Sequence, residues 1–135
     1  MANVLIVDRN QERQTSVVCR LRDVPGLTVA PAREELATVH MLKTSRPEII
    51  ILGTDEGDSW MLTLLAAAAP NTPILAYTDR WDVFTEKRAL SSGARELLST
   101  AASRSDYLKA IMEVLRVDRT SADCEPLEKS SVSGV

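Results

Sequence analysis

The chain has 135 residues, 44% of them hydrophobic, a mild net charge of -3 and two cysteines. That length suits one domain with a core of its own. The balance gives no basic face of the kind nucleic acid needs, no apolar run long enough to span a bilayer and no basic-then-apolar leader. Cys19 and Cys124 are too few and too far apart for a disulfide framework or a zinc site, so a reduced, cytoplasmic setting is the default expectation.

Short apolar runs alternate with amphipathic stretches. Val4-Leu5-Ile6-Val7 is a continuous run that stops at Asp8, as suits a strand buried on both faces of a parallel sheet. Asn10 can cap the following helix, on which Val17, Val18 and Leu21 share a face, and Pro25-Gly26 makes a turn. Leu27 to Ala30 is a weak second strand, and residues 33–45 form a helix with Leu36, Val39 and Leu42 inward. Ile49 to Leu52 is the third strand. After the polar loop Thr54-Asp55-Glu56-Gly57-Asp58, Asp58 or Ser59 caps a helix through Leu62 and Leu65, which Pro70-Asn71 ends.

Pro73 to Thr78 is the fourth strand. A helix over about 82–92 carries Val83, Phe84 and Leu90 and stops at Gly93. Glu96-Leu97-Leu98 is a short fifth strand. The last helix is capped by Ser103 or Ser105, with Tyr107, Leu108, Ile111, Val114 and Leu115 at helical spacing. The Ser-rich stretch 118–135 has no periodicity and reads as a disordered tail or linker after a domain over 1–117. Five βα units in alternation imply an α/β fold, a doubly wound five-stranded parallel sheet of flavodoxin-like order. In such sheets ligands sit beyond the carboxyl ends of the strands, which here means Asp8, Arg9, Gly53, Thr54, Thr78 and Thr100.

In order and spacing, Val4 to Asp8, Pro47 to Leu52, Pro73 to Thr78 and Gly93 to Leu98 resemble the receiver domain of bacterial response regulators, over residues 3–116. Ser103 to Ile111 is similar to the start of the last helix in NarL/LuxR-type receivers. The resemblance implies a phosphoaccepting aspartate at the end of the third strand, where this chain has Gly53. It implies an acidic pair for Mg²⁺ after the first strand, where this chain has Asp8-Arg9. Mg²⁺ is small and hard and needs carboxylate oxygens and waters, and one carboxylate of three remains. Arg9 either takes the cation's place beside Asp8 or points to solvent. Thr78 matches the family's strand-four hydroxyl, Thr100 stands where its strand-five lysine would fall, and Leu97 replaces the switch aromatic.

Other acids are candidates for a displaced acceptor. Asp55 and Asp58 lie just past Gly53, although turn formation and capping explain both. His40 suits a surface or boundary position on the second helix, and Cys19 a small core or boundary one. Trp60 and Trp81 flank the altered site and either fill it, anchor a partner or simply pack.

The expectation is a stand-alone pseudo-receiver in two-component or phosphorelay signalling. It is not an enzyme, has no cofactor or metal, and acts by protein contact independent of phosphorylation. The family's output face, the fourth helix, fifth strand and fifth helix (around Asp82–Arg116), falls here on Phe84, Lys87, Leu97, Tyr107 and Lys109. Its mixed charges suit either a constitutive homodimer or a monomer that binds another protein, with the second favoured. No membrane is expected, and nucleic acid only through a separate domain. The alternatives are the N-terminal regulatory domain of a NarL/LuxR-type transcriptional regulator, and a small-molecule sensor that uses the vacated site as its pocket. Restoring acids at Arg9 and Gly53 together is expected to recover some metal binding.

Overall fold

The computed structural model describes residues 2–54 and 60–124. In chain order the elements are β1 (Ala2–Val7), α1 (Gln11–Leu21), β2 (Leu27–Ala32), α2 (Glu35–Thr44), β3 (Ile49–Gly53), α3 (Trp60–Ala68), β4 (Ile74–Thr78), α4 (Val83–Ser92), β5 (Glu96–Ser99) and α5 (Arg104–Cys124). The strands pair in parallel in the order β2-β1-β3-β4-β5. This is the expected doubly wound, flavodoxin-like sheet, with its switch point between β1 and β3.

Two cores account for the continuous apolar strands. On one face Val4, Ile6, Ile49, Ile51, Leu75 and Tyr77 pack with Val17 and Leu21 of α1 and Tyr107, Ile111 and Val114 of α5. On the other, Leu5, Val7, Ile50, Leu52, Ile74 and Ala76 pack with Met61, Leu62 and Leu65 of α3 and Ala89 of α4. A strand clamped between two helical layers has no solvent side, so alternation disappears from β1, β3 and β4. Pro31 is exposed on β2, an edge strand, where a missing donor is tolerated.

Local chemistry fixes the helix ends. The Asn10 side chain accepts from the Arg13 backbone N–H at 3.0 Å, and Asp82 caps α4 by accepting from Thr85 N–H at 2.7 Å. Hydrogen bonds from Thr85, its backbone N–H first and its side chain next, hold the Asp82 carboxyl below its ordinary value. Ser103 Oγ accepts from Asp106 N–H at 3.1 Å at the start of α5. Gly93 follows α4 with φ +123, a conformation open to glycine.

Two expectations need correcting. Leu36 is 86% exposed, and α2 turns Thr38, Met41 and Leu42 toward the sheet instead. The Thr38 hydroxyl donates to Glu34 O at 2.8 Å, so its burial leaves no unmet donor. Cys19 is exposed on α1 and is neither core nor boundary. Helix α5 spans Arg104–Cys124. Asp55, Asp58 and Ser59, with the capping and acceptor roles considered for them, lie outside the described residues, as does the remainder of the tail from 125 to 135.

Candidate functional site

β1 and β3 end side by side, with Val7 paired to Leu52. The next step in register sets Asp8 beside Gly53, and Gly53 in turn pairs with Tyr77 on β4. Side chains in register on parallel strands leave the sheet on the same side. Asp8 and Tyr77 therefore share the layer covered by α1 and α5, and position 53 opens into the same layer.

Asp8 is fully buried. Its Oδ2 accepts from Arg13 Nε and from the Tyr77 hydroxyl, each at 2.7 Å. Its Oδ1 accepts from Arg13 Nη2 at 2.7 Å and from Asn10 N–H at 2.9 Å. Arg13 thus grips the carboxylate with two parallel bonds, the fork geometry that guanidinium favours. Its remaining nitrogen, Nη1, lies 3.5 Å from Thr54 O and 3.6 Å from Asp79 Oδ2. Tyr77 is fully buried too, and burial, followed by the neighbouring Asp8 charge, holds its phenol protonated far above the usual range. The ring meets Tyr107 edge-on, with centroids 6.4 Å apart, and Tyr107 donates to Ser99 O at 3.0 Å. Burial likewise pushes the Tyr107 phenol up.

Gly53 explains how these groups fit. A Cβ there would overlap Asp8 Oδ2 and stand 2.5 Å from Asp8 Cγ and 2.9 Å from Tyr77 Cζ. The space a side chain at 53 would enter is filled by the Asp8 carboxylate and the Tyr77 ring. Glycine is needed here for close approach, not for an unusual backbone conformation.

Arg9 takes the solvent-facing option. It is exposed, with its guanidinium 5.6 Å from the Trp60 ring centroid. Arg13, in the first turn of α1, is the cation beside Asp8, and sequence reasoning missed it together with Tyr77 and Gln14. The Gln14 amide donates to Ile6 O at 2.9 Å and Ala32 O at 2.8 Å, bridging β1 and β2. A signal was available. Arg13 stands four and eight residues before Val17 and Leu21, on their buried face, and a buried aspartate without acidic neighbours needs a counter-charge.

Thr78 is buried, and its hydroxyl accepts from Arg80 N–H at 3.2 Å. Thr100 N–H donates to Thr78 O at 2.9 Å, while the Thr100 hydroxyl is out of solvent with no partner among the described residues. Phe84, Lys87 and Lys109 are exposed. Leu97 and Tyr107 are not: at 4% and 0% exposure they are core residues and offer no contact surface. Trp81, 45% exposed, donates its indole N–H to Leu97 O at 3.2 Å.

The Mg²⁺ implied by the resemblance does not fit these residues. Both Asp8 oxygens are engaged, position 53 supplies none, and the Arg13 guanidinium is bonded to Asp8. Among the described residues no three His, Cys, Asp or Glu side chains converge. Nor is the space at position 53 a pocket, since Asp8 and Tyr77 occupy it. An open groove of ≈ 590 Å³ is lined instead by Arg9, Arg33, Glu34, Glu35, Leu36 and Met61.

No protein-family model and no curated protein matches the chain in sequence. Solved structures do match in shape. The receiver domain of the response regulator NarL from Mycobacterium tuberculosis superposes with a TM-score of 0.72 at 17% identity, over 85% of this chain and 96% of that one. The chain has the receiver fold. A LuxR-family two-component response regulator from Aurantimonas gives a TM-score of 0.73 at 16% identity over 86% of each chain. NtrX from Brucella abortus gives 0.81 at 16% identity, over 96% of this chain and 31% of that longer protein. At the end of β3 in this fold, the Asp8 carboxylate and the Tyr77 ring fill the space that a side chain at Gly53 would enter. Among the described residues no helix is long and apolar enough to cross a membrane.

Proposed function

We propose that the chain is a pseudo-receiver: a receiver-fold module of two-component-type signalling that works by protein contact and takes up no phosphoryl group. The observation that carries this reading is the filling of position 53 by the Asp8 carboxylate and the Tyr77 ring. Phosphoryl transfer depends on positioning and on charge neutralisation by metal, and this strand end offers neither an acceptor nor an open coordination site. Surface chemistry supports the contact half of the reading. Val83, Phe84 and Leu90 of α4 are 58%, 67% and 44% exposed, next to Trp81. Apolar side chains grouped this way suit a protein partner better than solvent. The sensor alternative loses its pocket, because the vacated site is full. The reading of the chain as the regulatory part of a DNA-binding regulator differs only in what is attached to the domain.

The test is incubation with acetyl phosphate and Mg²⁺, followed by intact-mass measurement. No added phosphoryl group is expected. A stoichiometric, hydroxylamine-sensitive adduct would overturn the proposal.

A further inference from the structure

We propose that Arg13 is the built-in cation of this strand end: from α1 it ties β1, the segment after β3 and the segment after β4 together, so that the domain holds one arrangement without a divalent ion. The proposal deepens the pseudo-receiver reading, since it concerns what replaced the metal and not what the domain contacts. Three features carry it. First, the groups around the guanidinium are oxygens from three separate strand ends. Among the described residues they include both carboxylate oxygens of Asp8, the Thr54 carbonyl and the Asp79 carboxylate. An all-oxygen, acid-rich set of this kind is what a hard divalent ion also selects.

Second, the cation is part of the fold. The Arg13 side chain is 4% exposed, its backbone N–H is fixed by the Asn10 cap, and it lies on the buried face of α1 with Val17 and Leu21. A guanidinium held in this way has given up its rotamer freedom on folding, so no binding step is left for an external ion to perform. Third, the acid it neutralises cannot escape. Asp8 is also held by the Tyr77 hydroxyl at 2.7 Å on Oδ2 and by the Asn10 amide at 2.9 Å on Oδ1. A single carboxylate buried among apolar strands needs a permanent positive partner. Arg13 meets that need, and the absence of a Cβ at Gly53 leaves room for the pair.

Removing the guanidinium should therefore expose a cation site that the native protein keeps filled. Melting temperature and tryptophan emission are measured with millimolar MgCl₂, CaCl₂ or MnCl₂ against NaCl of equal ionic strength. The wild-type chain should be insensitive to all three. Arg13→Ala should melt well below wild type and recover several degrees with at least one divalent ion, because a ligand of the native state alone raises stability. Arg13→Ala combined with Asp8→Asn should lose that recovery. Arg13→Lys, which keeps the charge without the fork, should fold and stay insensitive. If Arg13→Ala is unfolded in metal-free buffer, return of the folded signal on adding a divalent ion supports the proposal. Failure to return while Arg13→Lys folds overturns it. A divalent-dependent rise in the wild type that disappears in Asp8→Asn would also overturn it. That last result could occur with no phosphoryl uptake, which would leave the pseudo-receiver reading intact. Conversely, a phosphoryl adduct on a metal-insensitive wild type would remove that reading and leave Arg13 as the cation.

Discussion

Helix α1 turns charged and amide side chains inward, whereas α4 turns apolar ones outward. Arg13 and Gln14 are 6% and 5% exposed, and Val83 and Phe84 are 58% and 67% exposed. Each inversion runs against the usual rule of burial, and the two differ in whether anything answers it. The inward polar groups of α1 are met by Asp8, Ile6 O and Ala32 O at 2.7 to 2.9 Å. The outward apolar groups of α4 have only partial cover, with Arg88 4.9 Å from the Phe84 ring centroid. A satisfied inversion belongs to the architecture of the domain. An unsatisfied one marks the surface where a second molecule would complete it.

That contrast can be broken from the α1 side first. Arg13→Ala leaves the buried Asp8 carboxylate without its counter-charge and should cost about 3–5 kcal/mol in urea unfolding, as for other broken buried pairs. Gln14→Leu keeps volume but removes the donor to two carbonyls, for an expected loss of about 1–3 kcal/mol. If either variant unfolds at the wild-type midpoint, the strand end is not held in the way described.

From the α4 side the expected stability effects are small and the functional ones large. Phe84→Asp should move stability by no more than about 0.5 kcal/mol, as for surface sites generally, while abolishing recovery of any partner that co-purifies with the wild type. Loss of folding would place Phe84 in the core, and unchanged recovery would move the contact surface elsewhere. The smallest effect concerns Glu96. Partial burial, then the charges of Glu113 and Glu86, raise its carboxyl above the ordinary value. A carboxyl raised on folding favours its protonated form in the fold. Its contribution is therefore present below the unfolded value and lost as pH rises through the folded one. Glu96→Gln should accordingly gain about 0.5 kcal/mol or less at pH 7, given solvent screening. That gain should vanish below pH ~4, the ordinary glutamate range, and paired melts at the two pH values would check it.

Much of the fold was legible in the sequence because its signals are local. The β-branched run before Asp8, the Asn10 and Ser103 caps and the Gly93 stop each act within a few residues. Helix α2 was harder. Its apolar residues Leu36, Ala37, Val39, Met41 and Leu42 are spread around the helix and not gathered on one face, so the phase that buries Thr38, with its hydroxyl bonded to Glu34 O, competes with the phase that buries Leu36. Part of the site was legible as well. Gly53 and Asp8 stood out because they occupy strand ends. Arg13 and Tyr77 did not, because an arginine in a first helical turn reads as solvated and a tyrosine in a buried strand reads as packing. Their roles exist only where β1, β3 and β4 meet, 69 residues apart in the Asp8–Tyr77 hydrogen bond. The expectation that acids restored at Arg9 and Gly53 would recover metal binding misses the same point. The new carboxylate would meet Asp8 and Tyr77, and Arg13 would still hold the cation's place.

The most direct test of the central claim is therefore Gly53→Asp, treated with acetyl phosphate and Mg²⁺ and read by intact mass alongside its urea midpoint. If Asp8, Arg13 and Tyr77 have taken over the site, the variant should be markedly less stable than wild type and gain no phosphoryl group. A variant that folds with wild-type stability and becomes phosphorylated would show that the site was merely missing its acceptor, and would contradict the account.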